Sequence, residues 1–179
     1  MSGLMIRFAE CRDIPQLEAL IDVSVTALNG QDYSESQVAS ALQHVFGVDT
    51  QLIEDKTYYV IEDGKQIVAA GGWSKRSTLY GGNQMKNEED NLLDPNTDSA
   101  RIRAFYVHPQ WVRQGLGSRL MLTCEYAARE AGFGTLELVA TVTGAPLYKR
   151  HGFVAIGHVI VNMPDGEVLP CTLMEKCID

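Results

Sequence analysis

Long hydrophobic runs are missing from this chain: no window approaches the ~18 apolar residues of a membrane-spanning helix, so no membrane partner is expected. Residues 1–7 lack the charged-then-apolar layout of a signal peptide, and a cytoplasmic location is the expectation. Cysteine is sparse. The four, Cys11, Cys124, Cys171 and Cys177, form no C-x-x-C pair and share no metal-ligand spacing with the four histidines, so reduced thiols and no metal are expected. Basic charge is in deficit too: 15 Lys and Arg against 23 Asp and Glu leave a net −8, which argues against nucleic acid as a general partner. Repeats, low-complexity tracts and linkers are also absent, and 179 residues suit one domain over 1–179 with a sizeable core.

What is present is unevenly placed. Residues 101–150 carry +4 and the remainder −12, and the positive segment holds a glycine loop. Around that loop an apolar strand-like run, Ala104-Phe105-Tyr106-Val107, stops at His108-Pro109. After the loop, Leu116, Leu120, Cys124, Ala127, Ala128 and Ala131 recur at helical spacing, and Gly132 stands where a left-handed C-terminal residue is wanted. The first turn of a helix leaves backbone N–H groups without partners and carries the positive end of the dipole. Glycines there let an anion approach closely. A tight turn that only joins strand to helix is the alternative. Among phosphate-binding loops, the dinucleotide fingerprint needs a third small residue where Leu120 stands, and a P-loop needs a lysine between Gly117 and Ser118. Neither pattern fits.

In chain order, residues 4–8 read as a strand, and Asp13-Ile14-Pro15-Gln16 as the capped start of a helix that ends at Asn29-Gly30. Ser34 and Gln37 form a capping box for a second helix closed by Gly47, and Asp49 caps a short third one through Glu54. Residues 57–61 and 66–70 are β-rich runs around Glu62-Asp63-Gly64-Lys65, a hairpin of two antiparallel strands. Residues 74–99 are long, polar and weakly periodic, and read as an insertion near the mouth of a pocket, with Tyr80 and Gly81-Gly82 as lid elements. Residues 99–107 form the central strand. Simple alternation puts Arg101, Arg103, Phe105 and Val107 on one side and Ile102, Ala104 and Tyr106 on the other. The two arginines either pair with acids such as Glu137 on the neighbouring strand or hold an anionic acceptor. A strand over 135–140, a short helix with Pro146 near its start and Gly152 just past its end, and a closing hairpin of 159–163 with 168–174 complete the chain.

The loop at residues 112–117 resembles the Gln/Arg-x-x-Gly-x-Gly/Ala pyrophosphate loop of the GNAT acetyltransferase superfamily, users of acetyl-coenzyme A. Val112 stands where that pattern has Gln or Arg. A second resemblance is Leu147-Tyr148-Lys149-Arg150-His151-Gly152-Phe153, similar to the family's last motif block. Thr141 to Thr143 precede it where asparagine is common. The resemblance implies an α/β (α+β) fold with a mixed, twisted central sheet flanked by helices, whose central strands splay apart to admit the pantetheine arm. Phe105, Tyr106 and Val107 would then offer main-chain groups to that arm, and Val112, Arg113, Gln114, Gly115, Leu116, Gly117 and Ser118 would hold the pyrophosphate. Arg119 or Lys149 could reach the phosphates.

The implied chemistry is direct acetyl transfer from acetyl-CoA to an amine of a small molecule or protein. Tyr148 resembles the family's proton donor, and a phenol of pKa ~10 can protonate a departing thiolate. No base stands out. Glu137, His108 and a water relay remain open. The acceptor pocket is expected from 31–33, 73–82 and the closing hairpin, and a homodimer is open. A non-catalytic acyl-CoA sensor or partner-binding module is the alternative.

Overall fold

The computed structural model describes residues 3–86 and 89–179. Its elements run β1 (Met5–Phe8), α1 (Ile14–Leu28), α2 (Glu35–His44), α3 (Thr50–Glu54), β2 (Tyr58–Asp63), β3 (Gln66–Ser74), β4 (Ala100–Val107), α4 (Leu116–Glu130), β5 (Thr135–Thr141), α5 (Ala145–Arg150), β6 (Val154–Asn162) and β7 (Val168–Cys177). The strands make one seven-stranded mixed sheet in the order β1-β2-β3-β4-β5-β7-β6, flanked by helices as expected. All neighbours are antiparallel except β4 and β5, which the α4 crossover makes parallel. Among the described residues no helix is long and apolar enough to cross a membrane.

Each face of the sheet buries its own core. On one side α1, α2 and α3 set Leu17, Ile21, Val25, Ala41 and Leu52 against Tyr58, Val60 and Leu169. On the other, α4 sets Leu120, Met121, Cys124 and Ala128 against Val68, Ile102, Leu136 and Leu138. The α1 face follows the 3.6-residue period of its apolar positions. Its start differs from expectation. The Asp13 carboxylate does not cap the helix but accepts from Glu10 N–H at 2.7 Å and pairs with Arg7 at 2.8 Å, while Gln16 Oε1 accepts from Ile67 N–H and ties α1 to β3. The Ser34/Gln37 capping box and the Asp49 cap of α3 form as expected.

Two strand expectations need correction. β6 begins at Val154, five residues before the predicted start, because it is an exposed edge strand interrupted by an irregularity at Ala155/Gly157 that hides its alternation. In β4 the predicted two-fold alternation breaks at Ala104, which adopts a left-handed φ of 56°. The pairing shifts there, with Arg103 opposite Gly72 but Tyr106 opposite Ala70. Arg103, Ala104 and Tyr106 consequently lie on the α1 side, whereas Ile102, Phe105 and Val107 lie on the α4 side. Phe105 turns under Gly71, where a Cβ would meet its ring at 2.7 Å. A bulge of this kind re-aims side chains locally.

Candidate active site

β4 and β5 are bonded over only two residue pairs, Ala100 with Leu136 and Arg101 with Glu137. Beyond them the strands diverge. His108 N–H donates to Val68 O, and Tyr106 stands opposite Ala70. Antiparallel alternation therefore sends the N–H and C=O groups of Phe105 and Val107 into the gap. These groups are the exposed half of an unfinished ladder.

The gap continues into a cleft of about 380 Å³. At one end lies the loop between β4 and α4. Arg113 and Gly115 take left-handed φ values of 61° and 78° there, turning the chain so that α4 starts at Leu116. A Cβ at Gly115 would touch nothing within 4 Å, so glycine is suited by its conformation. At Gly117 the reason is contact, since a Cβ would meet Leu147 at 2.9 Å and α5 packs directly on the first turn of α4. Among the described residues, no carbonyl or side chain accepts from the N–H groups of Arg113 through Ser118. A run of free donors at the positive end of a 15-residue helix fits a pyrophosphate.

Phe105, Tyr106, Val107, Val112, Arg113, Gly115, Leu116, Gly117 and Ser118 all line this cleft, and so does Tyr148. Gln114 does not. Its side chain is exposed and reaches back to Gln110 O at 3.5 Å. Of the two cations considered for the phosphates, Arg119 is held to Leu4 O and Lys149 does not line the cleft, whereas Arg113 and Arg150 do. Ser118 Oγ lies 2.9 Å from His151 Nε2, a contact that links the loop to α5 and that sequence spacing does not reveal.

Tyr148 stands on α5 with its ring edge-on to Phe105 at 6.2 Å and to Phe153 at 6.0 Å. These aromatic contacts fix the ring and leave its hydroxyl with no protein partner at the cleft. Burial pushes the phenol above the ordinary tyrosine value, with the Cys124 thiol adding to the shift. Tyr148 is therefore protonated at neutral pH. Neither base candidate reaches the cleft. Glu137 is bonded to Arg101 at 2.5 Å, and His108 accepts from Gln110 N–H through Nδ1 while its ring meets Trp111 edge-on at 5.0 Å.

The far end of the cleft is walled by α1, the chain after α2, the tip of the 74–99 segment and the closing hairpin. Tyr80 and Gly81 line it, as do Val161, Leu169 and Cys171, in line with the expected lid and hairpin walls. Tyr33 and Trp73 do not. Tyr33 is buried, donates to Pro170 O at 2.6 Å and accepts from Val142 N–H at 2.9 Å, so it pins β5 to β7. Trp73 faces the α4 core against Phe133. Phe46, Leu79 and the α1 residues Ser24, Leu28 and Asn29 are lining groups that the sequence does not single out. A lone aromatic before the helix-ending Gly47 was the available signal for Phe46.

The second arginine of β4 explains how the lid is held. Arg103 is bonded to Asp49 at 2.9 Å with both side chains 1% exposed, and it donates to Gly81 O at 2.6 Å and Thr78 O at 3.3 Å. Lys86 Nζ adds a second cation to Asp49 at 2.7 Å. The neighbouring Arg76 grips Asp55 with two donors, and Thr78 N–H donates to Asp90. The polar 74–99 segment is thus tied to the scaffold by ion pairs and backbone bonds, with Tyr80, Met85 and Leu93 packing on the cores.

The family model described as an acetyltransferase (GNAT) domain matches residues 54–155, the stretch that contains the splay, the glycine loop and Tyr148. The chain belongs to the GNAT acetyltransferase family. It is accordingly an acyltransferase. Solved GNAT structures share the fold over nearly the whole chain. A GCN5-related N-acetyltransferase from Rhodopseudomonas palustris is 22% identical with a TM-score of 0.72, covering 99% of this chain and 97% of that one. PaiA N-acetyltransferase from Thermoplasma acidophilum, solved with coenzyme A, is 13% identical with a TM-score of 0.63, covering 98% and 99%. YncA from Salmonella typhimurium, solved with its cofactor acetyl-CoA, is 18% identical with a TM-score of 0.62, covering 99% and 95%. Among curated proteins, none matches this GNAT chain.

Proposed function

We propose that this GNAT domain transfers the acetyl group of acetyl-CoA directly to an amine of a small molecule or a protein. The observation that carries the reading is the continuity of one cleft, which joins the unpartnered N–H groups of residues 113–118, the β4/β5 gap and the free Tyr148 hydroxyl. Acetyl-CoA supplies an activated acyl carbon and a polyanionic handle. The chain's part is to receive the pyrophosphate on Arg113 to Ser118, with Arg113 and Arg150 adding charge. The backbone groups of Phe105 and Val107 receive the amides of the arm as an added strand would. Tyr148 protonates the departing sulfur.

Direct transfer is supported by the thiols. Cys171 lines the cleft, but burial pushes it up to about 11, so it is a protonated thiol and a poor acyl carrier at neutral pH. Residues 1–179 are read as one catalytic domain working in the cytoplasm, with no nucleic acid, membrane or metal involved and homodimer formation open. The alternative, an acyl-CoA sensor without turnover, gives no role to the oriented, partnerless hydroxyl of Tyr148.

The test is calorimetric titration with acetyl-CoA together with thiol release over an amine panel. Tyr148→Phe should lower kcat by about 10²-fold or more while leaving acetyl-CoA affinity near wild type. Gly117→Asp should abolish binding. Equal losses of turnover and binding in Tyr148→Phe would remove the tyrosine from its proposed role.

A further inference from the structure

Resting on the transferase reading, the far end of the cleft carries information about the acceptor. No Asp, Glu or His among the described residues lines any part of it. The acids bonded to lining residues, Asp49 behind Arg103 at 2.9 Å and Asp32, which accepts from Thr143 Oγ1 at 2.8 Å, both lie outside the lining. Every titratable group that does line the cleft is a cation, a phenol or a thiol. Arg103 is committed to Asp49, whereas Arg113 and Arg150 belong to the phosphate end, on the glycine loop and on the α5 helix packed against it. Tyr80, Tyr106, Tyr148 and Cys171 complete the set. The acceptor end itself is mainly apolar and aromatic: Leu28, Phe46, Tyr80, Val139, Val161 and Leu169 face it beside the uncharged Ser24 and Asn29, with Phe46 and Tyr106 edge-on at 6.3 Å.

Such a pocket is ill suited to an alkylammonium ion. Its described lining offers no carboxylate to balance the charge, and its own cation, Arg103, is already paired with Asp49. It also offers no base to remove the proton. An aliphatic amine of pKa ~10.4 is neutral in roughly 1 molecule in 2,500 at pH 7, a penalty that a weakly basic nitrogen does not incur. We propose that the acceptor is a weakly basic nitrogen on an aromatic body, an arylamine or aryl hydrazine, which enters uncharged and stacks among Phe46, Tyr80 and Tyr106.

The step then closes on Tyr148 alone. The nitrogen lone pair attacks the acetyl carbon and forms the N–C bond, and the C–S bond breaks with its electron pair on sulfur. Sulfur takes the Tyr148 hydroxyl proton to become the free thiol of coenzyme A. The nitrogen, made acidic by its bond to carbon, returns a proton to the Tyr148 phenolate, directly or through a water. The groups facing Tyr148 are Phe105, Phe153, Tyr106 and the Cys124 thiol, none of which is a carboxylate that could take over this role.

The test compares p-anisidine, phenethylamine and spermidine as acceptors, by thiol release from pH 6 to 9 and by calorimetry on acetyl-CoA-loaded protein. Expected is a kcat/KM for p-anisidine at least tenfold above phenethylamine at pH 7, nearly flat with pH, while any phenethylamine rate rises close to tenfold per pH unit. Phe46→Glu, which places a carboxylate in the pocket, should reverse that preference. Turnover of phenethylamine or spermidine without p-anisidine binding overturns the acceptor class and leaves the transferase reading standing. Binding of p-anisidine with no turnover of any amine upholds the pocket chemistry and overturns the transferase reading. No p-anisidine binding to the loaded protein overturns the proposal whatever the turnover.

Discussion

Replacing Asp49 by alanine tests both the stability and the lid geometry of this molecule. The carboxylate is fully buried and accepts from three donors: Arg103 Nη2 at 2.9 Å, Lys86 Nζ at 2.7 Å and Gln51 N–H at 3.0 Å. Removing it leaves the Arg103 guanidinium buried without a counter-charge, a change that costs about 3–5 kcal/mol. Loss of the α3 cap adds about 1 kcal/mol. Since Lys86 is partly exposed, it rehydrates and contributes little. Taking about 5 kcal/mol and roughly 2–4 °C per kcal/mol for a chain of this size, Tm should fall by roughly 10–20 °C. Arg103→Met should cost less, because Asp49 then keeps Lys86 and the α3 N–H. A denaturant-melt double-mutant cycle on the two positions should show coupling of about 1–3 kcal/mol. The functional arm follows from Arg103 donating to Gly81 O and Thr78 O: both variants should raise acceptor KM while acetyl-CoA affinity changes little. A loss below about 1 kcal/mol for Asp49→Ala, or additivity of the two substitutions, would refute the claim that a buried ion pair holds the lid.

Two other outcomes can be checked with the unliganded protein. Asp13 is held below the usual carboxylate range first by the Arg7 guanidinium, against the opposing effect of burial. Its folded pKa lies below the unfolded value of ~3.9, so the unfolded chain binds the extra proton and stability falls with pH below that value; Asp13→Asn should flatten this acid limb in pH-dependent melts. Iodoacetamide at pH 7.5 should modify Cys11 and Cys177, which are exposed, and spare Cys124 and Cys171, whose thiols burial pushes up. Mass spectrometry should find two adducts on the native chain and four after denaturation, and rapid native labelling of Cys171 would contradict its burial.

The sequence made the parts with local causes legible. Gly115 and Gly117 before a helical period, the Ser34/Gln37 box and the Asp63-Gly64 hairpin each act within a few residues, and all three appear where expected. The pairing of Arg101 with Glu137 was also readable, since adjacent strands in an alternating sheet bring them side by side. Features fixed by distant partners were not readable. The bulge at Ala104 depends on Gly71 across the ladder making room for Phe105, and nothing in the run Arg101 to Val107 announces it. Arg103 finds Asp49 across a gap of 54 residues, and Tyr33 spans β5 and β7 through its hydroxyl, both set by tertiary packing alone. At the cleft, motif spacing picked out the glycine loop and Tyr148, which line it, whereas its far end is assembled from single side chains on α1, the 74–99 segment and the last hairpin. No local pattern links those.

The short contact between β4 and β5 has a mechanical consequence. With only two residue pairs joining them, the sheet consists of two leaves, β1 to β4 and β5 to β7, joined at Ala100 with Leu136 and at Arg101 with Glu137. An extended ligand lying along the gap would act as the missing stitch between the leaves, bonding to the free edge of Phe105 and Val107. Amide hydrogen exchange would record this as slower exchange at those two residues and at Val139 to Thr141 across the gap, so that the bound molecule serves for a time as part of the sheet.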